Sequence, residues 1–575
     1  MFDGRLDNRD ELLQTLVDHP AVTAACSDGT LVLAAFERFG DEFPQHLDGD
    51  FVAVVFDRRS RRLLIARDRL GVRPVCYAML SGTFLFASDA RVLLEYPGID
   101  SAPDDSMVAE FFLSFRSNDA ERRTFFRGIH ALPAAHLLVA TIAGVTVHRY
   151  FDFETTRSVR FPQFHDYTLA FHELFVNAVR RRLRSSRPVG ISVSGGLDSA
   201  YIFCVADRIV RAEPAICPAV IGYNYQGNPG TPSDERIFVD AVEKSGTARI
   251  ERIAQRSGFV EDAAADVWTT ESPIVDRLAG QARDGREALR AAGAGRTLTG
   301  HWGDQLLFDC DYLLDLLFTG RWRPLGHHAR GWRRDLRWLA GRALKASVVR
   351  HAPARVVSAA RRRRGGSEAP WRASWFTDRF RRLLRERAGH EPLPRTTGSW
   401  HARAMYRESR LPYHVQCMVW NTRLASAHDL DIAFPYLDSD LIQFLMSIPG
   451  EVQSYGGSPR GLMREAMRGV VPAAVAARRD KGEFTRLVNE GIWQEFDRIR
   501  ALFDSRAMSV EFGYVDGAAL RRHLDEWQPA IAAAPDASIA NSLVDLCGLE
   551  LFLRAFFGAV TEAAKSAAAV ERVRC

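Results

Sequence analysis

The feature that most constrains the fold is an apolar strand pattern that leads directly into a glycine-rich turn and then a helix. Residues 189–193 (VGISV) have the short, continuous apolar pattern of a buried strand. Residues 194–199 (SGGLDS) follow at once, and a helical pattern begins at Ala200. Glycines let backbone amides approach an anion closely, and the start of a helix adds partial positive charge. The sequence therefore predicts a loop that binds phosphate or pyrophosphate. The alternative is a tight strand-to-helix turn with an N-cap.

The patterns on either side of this loop divide the chain. A second buried-strand pattern, residues 219–223 (AVIGY), follows the next helix, and strands that alternate with helices predict an α/β domain with a parallel sheet. Before residue 155 the chain instead has strand-length apolar runs separated by turns, which predict a mostly β domain with a few helices. These runs cover residues 51–56, 63–66, 83–87 and 136–141. After residue 400 the pattern is helical, as in residues 541–557. We therefore expect one domain at 1–155 and a second at 166–575.

Charge is distributed unevenly along the 575 residues, and the net charge of +5 hides this. Residues 321–395 contain 21 Arg or Lys against 5 Asp or Glu, whereas the rest of the chain is acidic. A basic surface that covers the whole protein and binds nucleic acid is therefore not expected. We interpret 321–395 as an Arg-rich insertion. It is either a solvated helical face with a loop, which would include Arg361–Arg364, or a contact for an acidic partner.

Other classes of protein are excluded by simple counts. No run of about 18 uncharged apolar residues is present, and the first residues lack a secretory signal pattern, so we expect a soluble, cytoplasmic protein without a membrane segment. The eight cysteines are scattered, and no pair has CxxC spacing. This favours reduced thiols over a disulfide framework or a structural metal. The SGGLDS loop contains no lysine, so a bound metal must neutralise phosphate charge, and Asp198 is its natural ligand.

Several motifs resemble one known family and occur in that family's order. SGGLDS is similar to the pyrophosphate loop of the N-type ATP pyrophosphatases, and its surroundings resemble asparagine synthetase and its relatives. The other matching segments are LDGDF (47–51), ARDRLGVRPVCY (66–77), TGHWGDQLL (299–307), AFPYLDSDL (433–441) and RRDKGEF (478–484). The resemblance implies an N-terminal glutaminase-type (Ntn-like) α+β domain. It also implies a doubly wound parallel-sheet synthetase domain, similar to the adenine nucleotide α-hydrolases, with a helical C-terminal part.

The resemblance also implies a site for ATP and Mg²⁺. Asp198 and Asp304 would hold Mg²⁺ between the phosphates of ATP, because hard carboxylate oxygens suit that ion. Lys481 matches the lysine that in the family stabilises charge during adenylation and acyl transfer. The adenine is expected to lie against the backbone near Val193 and Ile221. The residues expected to bind ATP are Val193, Ser194, Gly195, Gly196, Leu197, Asp198, Ser199, Ile221, Thr299 and Gly300.

Two departures from the asparagine synthetase pattern point to a different substrate. Glutamine-dependent members have a nucleophilic cysteine after the initiator methionine, whereas this sequence has Phe2, and nothing around Cys26 resembles the required position. Unless Met1 is an internal methionine, we expect no glutamine hydrolysis, so the amine would come from the substrate itself. The third position of the motif that starts at Thr299 is His301. Ammonia-using synthetases generally have Glu there and β-lactam synthetases Tyr, whereas GHxGD looks like the lasso peptide cyclases.

This resemblance predicts a catalytic base and a reaction. An imidazole with a pKa of about 6.5 can accept a proton from an attacking ammonium at neutral pH. Asp431 stands where the family's ExRxPFLD motif has its Glu, so it is a candidate to orient His301. The alternative for His301 is a structural histidine, and the alternative for Asp431 is a helix-terminal or core carboxylate. The predicted enzyme is an AMP-forming ligase that makes a macrolactam, closed by an isopeptide bond, in a ribosomally made lasso peptide.

The same resemblance implies partners and leaves alternatives. The partners would be a core or precursor peptide as substrate, a leader peptidase and a leader-recognition protein. One alternative is another amidoligase of the family, either β-lactam-synthetase-like or an ammonia-dependent asparagine synthetase. The other is a catalytically silent scaffold that binds a peptide or a peptidase.

Overall fold

The N-terminal part of the protein contains two antiparallel sheets. A computed structural model of the chain describes residues 1–351, 370–388, 397–479 and 482–558. Its first eight strands are β1 (Phe2–Leu6), β2 (Gly49–Asp57), β3 (Arg62–Arg67), β4 (Cys76–Leu80), β5 (Thr83–Ala87), β6 (His130–Ala131), β7 (His136–Thr141) and β8 (Gly144–Arg149). One sheet has the order β1-β2-β3-β7-β8, and the other has the order β5-β4-β6. The helices here are α1 (Arg9–Thr15), α2 (Asp28–Phe39), α3 (Ala90–Leu94) and α4 (Asp105–Phe112), with 3₁₀ turns at Gly40–His46 and Asn118–Arg122.

The five-stranded sheet of this region is buried on both faces. One face packs against α1 and α2 through Leu12, Leu31 and Phe51. The other face is covered by residues in or next to β4, β5 and β6, among them Val75 and Leu132. Because both faces of this sheet are covered, its central strands have nearly continuous apolar runs and not an alternation of apolar and polar residues.

The second part is built on a parallel sheet. Its strands are β9 (Val189–Ser192), β10 (Val220–Gln226), β11 (Ile250–Ala254), β12 (Arg296–Leu298) and β13 (Asp431–Ala433). They lie in the order β11-β10-β9-β12-β13, and every neighbouring pair is parallel. The connecting helices up to residue 307 are α5 (Phe164–Leu183), α6 (Leu197–Ala212), α7 (Arg236–Lys244), α8 (Val260–Thr270), α9 (Ala279–Ala291) and α10 (Gly303–Leu307).

The strand order creates one crevice. The chain builds outward from β9 to β10 and β11 and then returns to place β12 and β13 on the other side of β9. In open α/β sheets, ligands bind beyond the carboxyl ends of the strands where the order reverses. That point lies here between β9 and β12, and the two motifs after these strands both reach it. The expected doubly wound architecture is confirmed.

Helices make up most of the rest of the chain. Between β12 and β13 lie α11 (Tyr312–Phe318), α12 (Trp322–Gly331), α13 (Leu336–His351), α14 (Asp378–Arg387), α15 (Trp400–Arg410) and α16 (Pro412–Ser426), with a 3₁₀ turn at Pro370–Arg372. After β13 lie α17 (Ser439–Ser447), α18 (Gly450–Gln453), α19 (Gly461–Ala466), α20 (Ala473–Ala477), α21 (Thr485–Gln494), α22 (Phe496–Leu502), α23 (Met508–Glu511), α24 (Gly517–Ile531) and α25 (Ser538–Phe557), with 3₁₀ turns at Pro435–Leu437 and Tyr455–Gly457.

Two further features match the sequence analysis. In the parts of the chain that the structure covers, no helix is both long enough and apolar enough to cross a membrane. The seven described cysteines are free thiols. The expected Arg-rich insertion contributes α12, α13 and α14, whereas Arg361–Arg364 lie outside the described residues.

Candidate active site

The glycine-rich loop joins β9 to α6 at the crevice. Gly195 has φ of +64°, and a Cβ atom there would lie 2.9 Å from the Cβ of Phe238, so glycine is required both by conformation and by space. Ser194 N donates to Ser199 Oγ at 3.0 Å, and the two serine hydroxyls lie 3.1 Å apart. These contacts hold the loop against the first turn of α6. The N-terminus of this helix then offers partial positive charge to an anion.

The Thr299–Asp304 turn packs directly against this loop. A Cβ atom at Gly300 would lie 3.1 Å from Ser199 N. A Cβ atom at Gly303 would lie 2.6 Å from Asp198 Cγ. Side chains at either glycine would separate the two turns. The glycines of the second motif therefore bring Asp304 and His301 to the phosphate loop.

Two carboxylates converge on one arginine at this junction. Arg460 Nη1 lies 3.0 Å from Asp198 Oδ2, and Arg460 Nη2 pairs with Asp304 Oδ1. Burial raises the pKa of Asp198 to about 6, and the charge of Arg460 opposes that shift. The sequence-predicted metal ligands Asp198 and Asp304 are thus brought to the two sides of one cationic group.

This donor set fits Mg²⁺ bound together with a phosphorylated substrate. Within the described ranges, no group of three or more His, Cys, Asp or Glu side chains is arranged to hold a metal. Mg²⁺ is commonly held by one or two carboxylates, with substrate phosphates and water completing its coordination. Asp198 and Asp304 would supply the two carboxylates. The SGGLDS loop is placed to bind the phosphates of the substrate.

His301 is exposed at the carboxyl end of β12. Its Nδ1 lies 2.8 Å from Thr299 Oγ1, which fixes the ring beside the turn. Solvent reaches the ring, but the surrounding protein desolvates it enough to lower its pKa, and the charge of Asp276 acts in the opposite direction. The neutral, proton-accepting form therefore dominates at neutral pH.

Asp431 is not where the expected pairing with His301 requires it. It opens β13 and is opposite Arg296 at the start of β12, whereas His301 lies beyond the far end of β12. Its carboxylate instead pairs with Arg296 at 2.8 Å and with Arg73. Although burial opposes it, the charge of these arginines and of Arg5 lowers the pKa of Asp431 to about 2. The expected role of orienting His301 is corrected: Asp431 joins the N-terminal region to the parallel sheet.

The expected adenine contacts at Val193 and Ile221 stay predictions, and the structure shows what these two residues bond within the protein. Val193 donates its N–H to Tyr223 O at 2.8 Å, and its carbonyl accepts from Asn224 Nδ2 at 2.7 Å. Both backbone groups are therefore already used within the sheet. Ile221 is buried within β10, opposite Gly190 of β9.

Lys481 lies outside the described residues, but the residues that flank it are placed. Arg478 Nη1 donates to Gly195 O at 3.1 Å and to Glu235 Oε1 at 2.7 Å. A Cβ atom at Gly482 would lie 3.0 Å from Glu235 Cδ. Arg478 and Gly482, on either side of the lysine in the sequence, therefore both lie beside Glu235, and Arg478 also contacts the phosphate loop.

Sequence reasoning missed Arg460 altogether, and it included Arg478 only as the first residue of RRDKGEF, without a role. Both contact the phosphate-binding region, yet neither lies in a strand–turn–helix motif. Arginine is common throughout this chain, so residue type gave no signal for them. Only long-range packing distinguishes Arg460, which is 262 residues from Asp198 in the sequence.

The comparisons with known proteins agree with this arrangement. Residues 170–554 match the family model described as asparagine synthase, and residues 1–151 match that of a glutamine amidotransferase domain. The chain belongs to the asparagine synthase family. Members of this family are ATP-dependent amide ligases, and this protein is an enzyme of that kind.

Three similar proteins are distant from this chain in sequence. "Asparagine synthetase [glutamine-hydrolyzing] 3" of Bacillus subtilis (strain 168) is 22% identical over 490 residues, which cover 83% of this chain and 74% of that protein. A putative asparagine synthetase of Mycobacterium tuberculosis (strain ATCC 25618 / H37Rv) is 25% identical over 517 residues, which cover 83% and 73%. Amidase chyE of Penicillium rubens is 26% identical, with coverage of 48% and 42%. Among solved structures, the glutamine PRPP amidotransferase from B. subtilis matches 54% of this chain and 62% of its own, with a TM-score of 0.20 and 12% identity.

Proposed function

We propose that this amide ligase closes a lasso peptide: it adenylates an Asp or Glu side chain of a leader-free core peptide and joins that carboxyl group to the peptide's N-terminal amine. The observation that carries the proposal is His301, an exposed imidazole with a lowered pKa in the turn that packs against the phosphate loop. A ligase that uses an amine of its own substrate needs a group to accept the ammonium proton. His301 is such a group, and the packing of its turn against the phosphate loop supports this role.

The first step uses the phosphate end of the site. A carboxylate oxygen of the peptide attacks the α-phosphorus of ATP, the bond to the β-phosphate oxygen breaks, and pyrophosphate leaves. The Ser194–Ser199 loop and the α6 N-terminus bind the phosphates. Mg²⁺, held by Asp198 and Asp304, would neutralise phosphate charge. We assign Lys481 to stabilise the negative charge of this transition state.

The second step uses His301. The imidazole takes a proton from the N-terminal ammonium, and the amine then attacks the acyl carbon. The bond between that carbon and the phosphate oxygen breaks, so AMP leaves and a lactam forms. Asp431 takes no part in this step because its carboxylate lies at the other end of β12 and β13.

A second candidate function rests on the relatives. Two similar proteins are named as asparagine synthetases, so an ammonia-dependent reaction with aspartate is the principal alternative. A β-lactam-synthetase-like reaction on a small amino acid is another. For the peptide reaction, a leader peptidase and a leader-recognition protein are the proposed partners, since the N-terminal amine must first be released.

Mass spectrometry tests the proposal. The full chain is incubated with ATP, Mg²⁺ and a leader-free core peptide from the same gene neighbourhood, with and without the cognate peptidase. We expect the peptide to lose one water as AMP and pyrophosphate form, and we expect no reaction with Asp198→Ala. AMP formation with aspartate and ammonium or glutamine, but never with the peptide, would overturn the proposal in favour of the small-molecule reaction.

A further inference from the structure

Arg460 occupies the position between the two carboxylates that the proposed function assigns to Mg²⁺. Its guanidinium contacts Asp198 at 3.0 Å and pairs with Asp304, and the side chains of Arg460 and Asp198 are 9% and 11% exposed. A single guanidinium therefore forms an ion pair with each of the two acids. A divalent cation at the same place would face a positive charge at contact distance, so the two cations exclude each other.

The backbone at Arg460 is specialised for this contact. Arg460 has φ of +59° and ψ of +27°, the left-handed conformation, immediately before α19. A residue with a Cβ atom adopts this conformation only at a cost in free energy. Next to it, a Cβ atom at Gly461 would lie 2.3 Å from Tyr455 O, so the turn is tightly fixed. This combination directs the arginine side chain toward the carboxylates.

Neighbouring arginines do not share this geometry. Arg464, one turn later on α19, donates to Ala476 O at 2.6 Å. Arg478 donates to Gly195 O and to Glu235. Both lie near the phosphate loop without bridging the two carboxylates. Arg460 is thus distinguished by its contacts with the two acids, whereas Arg464 and Arg478 bond to other groups.

We propose that Arg460 is a built-in counterion that keeps the Asp198–Asp304 site closed to free divalent cations until nucleotide arrives. Metal binding displaces the guanidinium from both carboxylates. Phosphate oxygens then offer the displaced cation new partners, so metal and nucleotide bind together and metal alone binds weakly. The inference rests on the proposed metal ligands, but it does not depend on which substrate the enzyme adenylates.

Binding of Mn²⁺ alone to the full chain, without ATP or peptide, tests the inference. If the closed form dominates, removal of the arginine should strengthen apparent metal affinity by about tenfold or more. Arg460→Met should therefore bind Mn²⁺ at least about tenfold more tightly than the wild type, by electron paramagnetic resonance of free Mn²⁺. The matched control Arg464→Met also removes one positive charge, but it should change affinity by no more than about threefold. In Arg460→Met/Asp304→Asn the gain should disappear.

Thermal unfolding separates this role from a merely structural one. The melting temperature of the wild type should be the same in EDTA and in excess Mg²⁺. Arg460→Met leaves the buried Asp198 and the partly exposed Asp304 without this counterion, so it should melt earlier in EDTA and recover in Mg²⁺. Arg460→Gln, which also removes the charge but can still donate hydrogen bonds to the carboxylates, provides the same comparison if the methionine variant does not fold. Equal Mn²⁺ affinity in the wild type and the variant, or a melting temperature that Mg²⁺ does not restore, would overturn the inference. Peptide cyclisation can fail independently of either result.

Discussion

At the scale of single residues, strand direction decides which acid can act with His301. Parallel strands align their carboxyl ends, and the β12–β13 register pairs Arg296 with Asp431 and Leu298 with Ala433. Phe434, which follows β13, lies near His301, with 6.4 Å between the centroids of the two rings. Asp431 starts the same strand and therefore lies at its opposite end. The spacing of the motif suggested a catalytic pair, whereas the sheet geometry makes Asp431 a structural ion-pair partner.

Substitution of His301 should separate the two half-reactions. In His301→Asn we expect ATP–pyrophosphate exchange with the carboxylate substrate to continue, because the phosphate loop is intact. Amide formation should fall by about 10²–10⁴-fold, the usual contribution of a general base. Single-turnover measurement of adenylate and of product checks this.

The matched contrast is Asp431→Asn, which should lower stability without changing the pH profile of amide formation. A loss of amide formation in Asp431→Asn at unchanged stability would restore the pairing with His301. Equal losses of both half-reactions in His301→Asn would show that the imidazole is not a specific base.

His401 should make the protein sensitive to acid. The side chain is 1% exposed, its Nε2 lies 2.9 Å from Leu445 O, and burial lowers its pKa to about 4. The unfolded chain, with a histidine pKa of about 6.5, takes up the proton first, so this residue's contribution to stability is lost as pH falls from about 6.5 to 4. The full loss is about 3–4 kcal/mol, of which about 2 kcal/mol falls between pH 7 and pH 5.

Denaturant unfolding at pH 7 and pH 5 in the wild type and in His401→Gln checks this prediction. Gln can keep a donor near Leu445 O but does not titrate. The variant should lose less stability than the wild type between the two pH values. An identical loss in both proteins would contradict the assignment.

At the scale of elements, the active site is made by two turns that interlock through glycine. Gly300 and Gly303 let the turn after β12 contact the first residues of α6. Both glycines were visible in the sequence as parts of motifs, and so were the strand β9 and the loop. β13 was not, because its three residues are too few to show a periodicity. By contrast, β5 and β7 were predicted with their boundaries because strand-length apolar runs between turns define them.

Gly303→Ala tests the interlock. The added Cβ atom would lie 2.6 Å from Asp198 Cγ, so Asp198 or the Thr299–Asp304 turn must move. We expect ATP affinity in the presence of Mg²⁺ to fall by about tenfold or more while the circular dichroism spectrum is unchanged. The control is Gly326→Ala within α12, where a Cβ atom would meet nothing within 4 Å. Unchanged ATP affinity in Gly303→Ala would argue against the packing of the two turns.

At the scale of the whole molecule, the N-terminal sheets and the synthetase region share buried structure. One apolar cluster contains Phe125 and Phe126 from the first region and Phe552 from α25. Glu271, from the second region, accepts the backbone N–H groups of Ala90 and Arg91 at the start of α3. The sequence separated the two regions by their patterns. It could not reveal this interface, because apolar residues in a periodic helix look the same whether they pack within one domain or between two.

The shared core predicts that the two regions unfold together. Phe552 is fully buried, and its ring lies 5.3 Å from that of Phe125 and 5.8 Å from that of Phe126. Phe552→Ala should cost about 3–5 kcal/mol. Calorimetry should show one transition that shifts as a whole to lower temperature, because the N-terminal region loses the same contacts as α25. Phe56→Ala, at a side chain that is 60% exposed, should leave the transition within about 0.5 kcal/mol of the wild type. Two transitions, of which Phe552→Ala moves only one, would instead mean that the N-terminal region is stable without the helices that cover it.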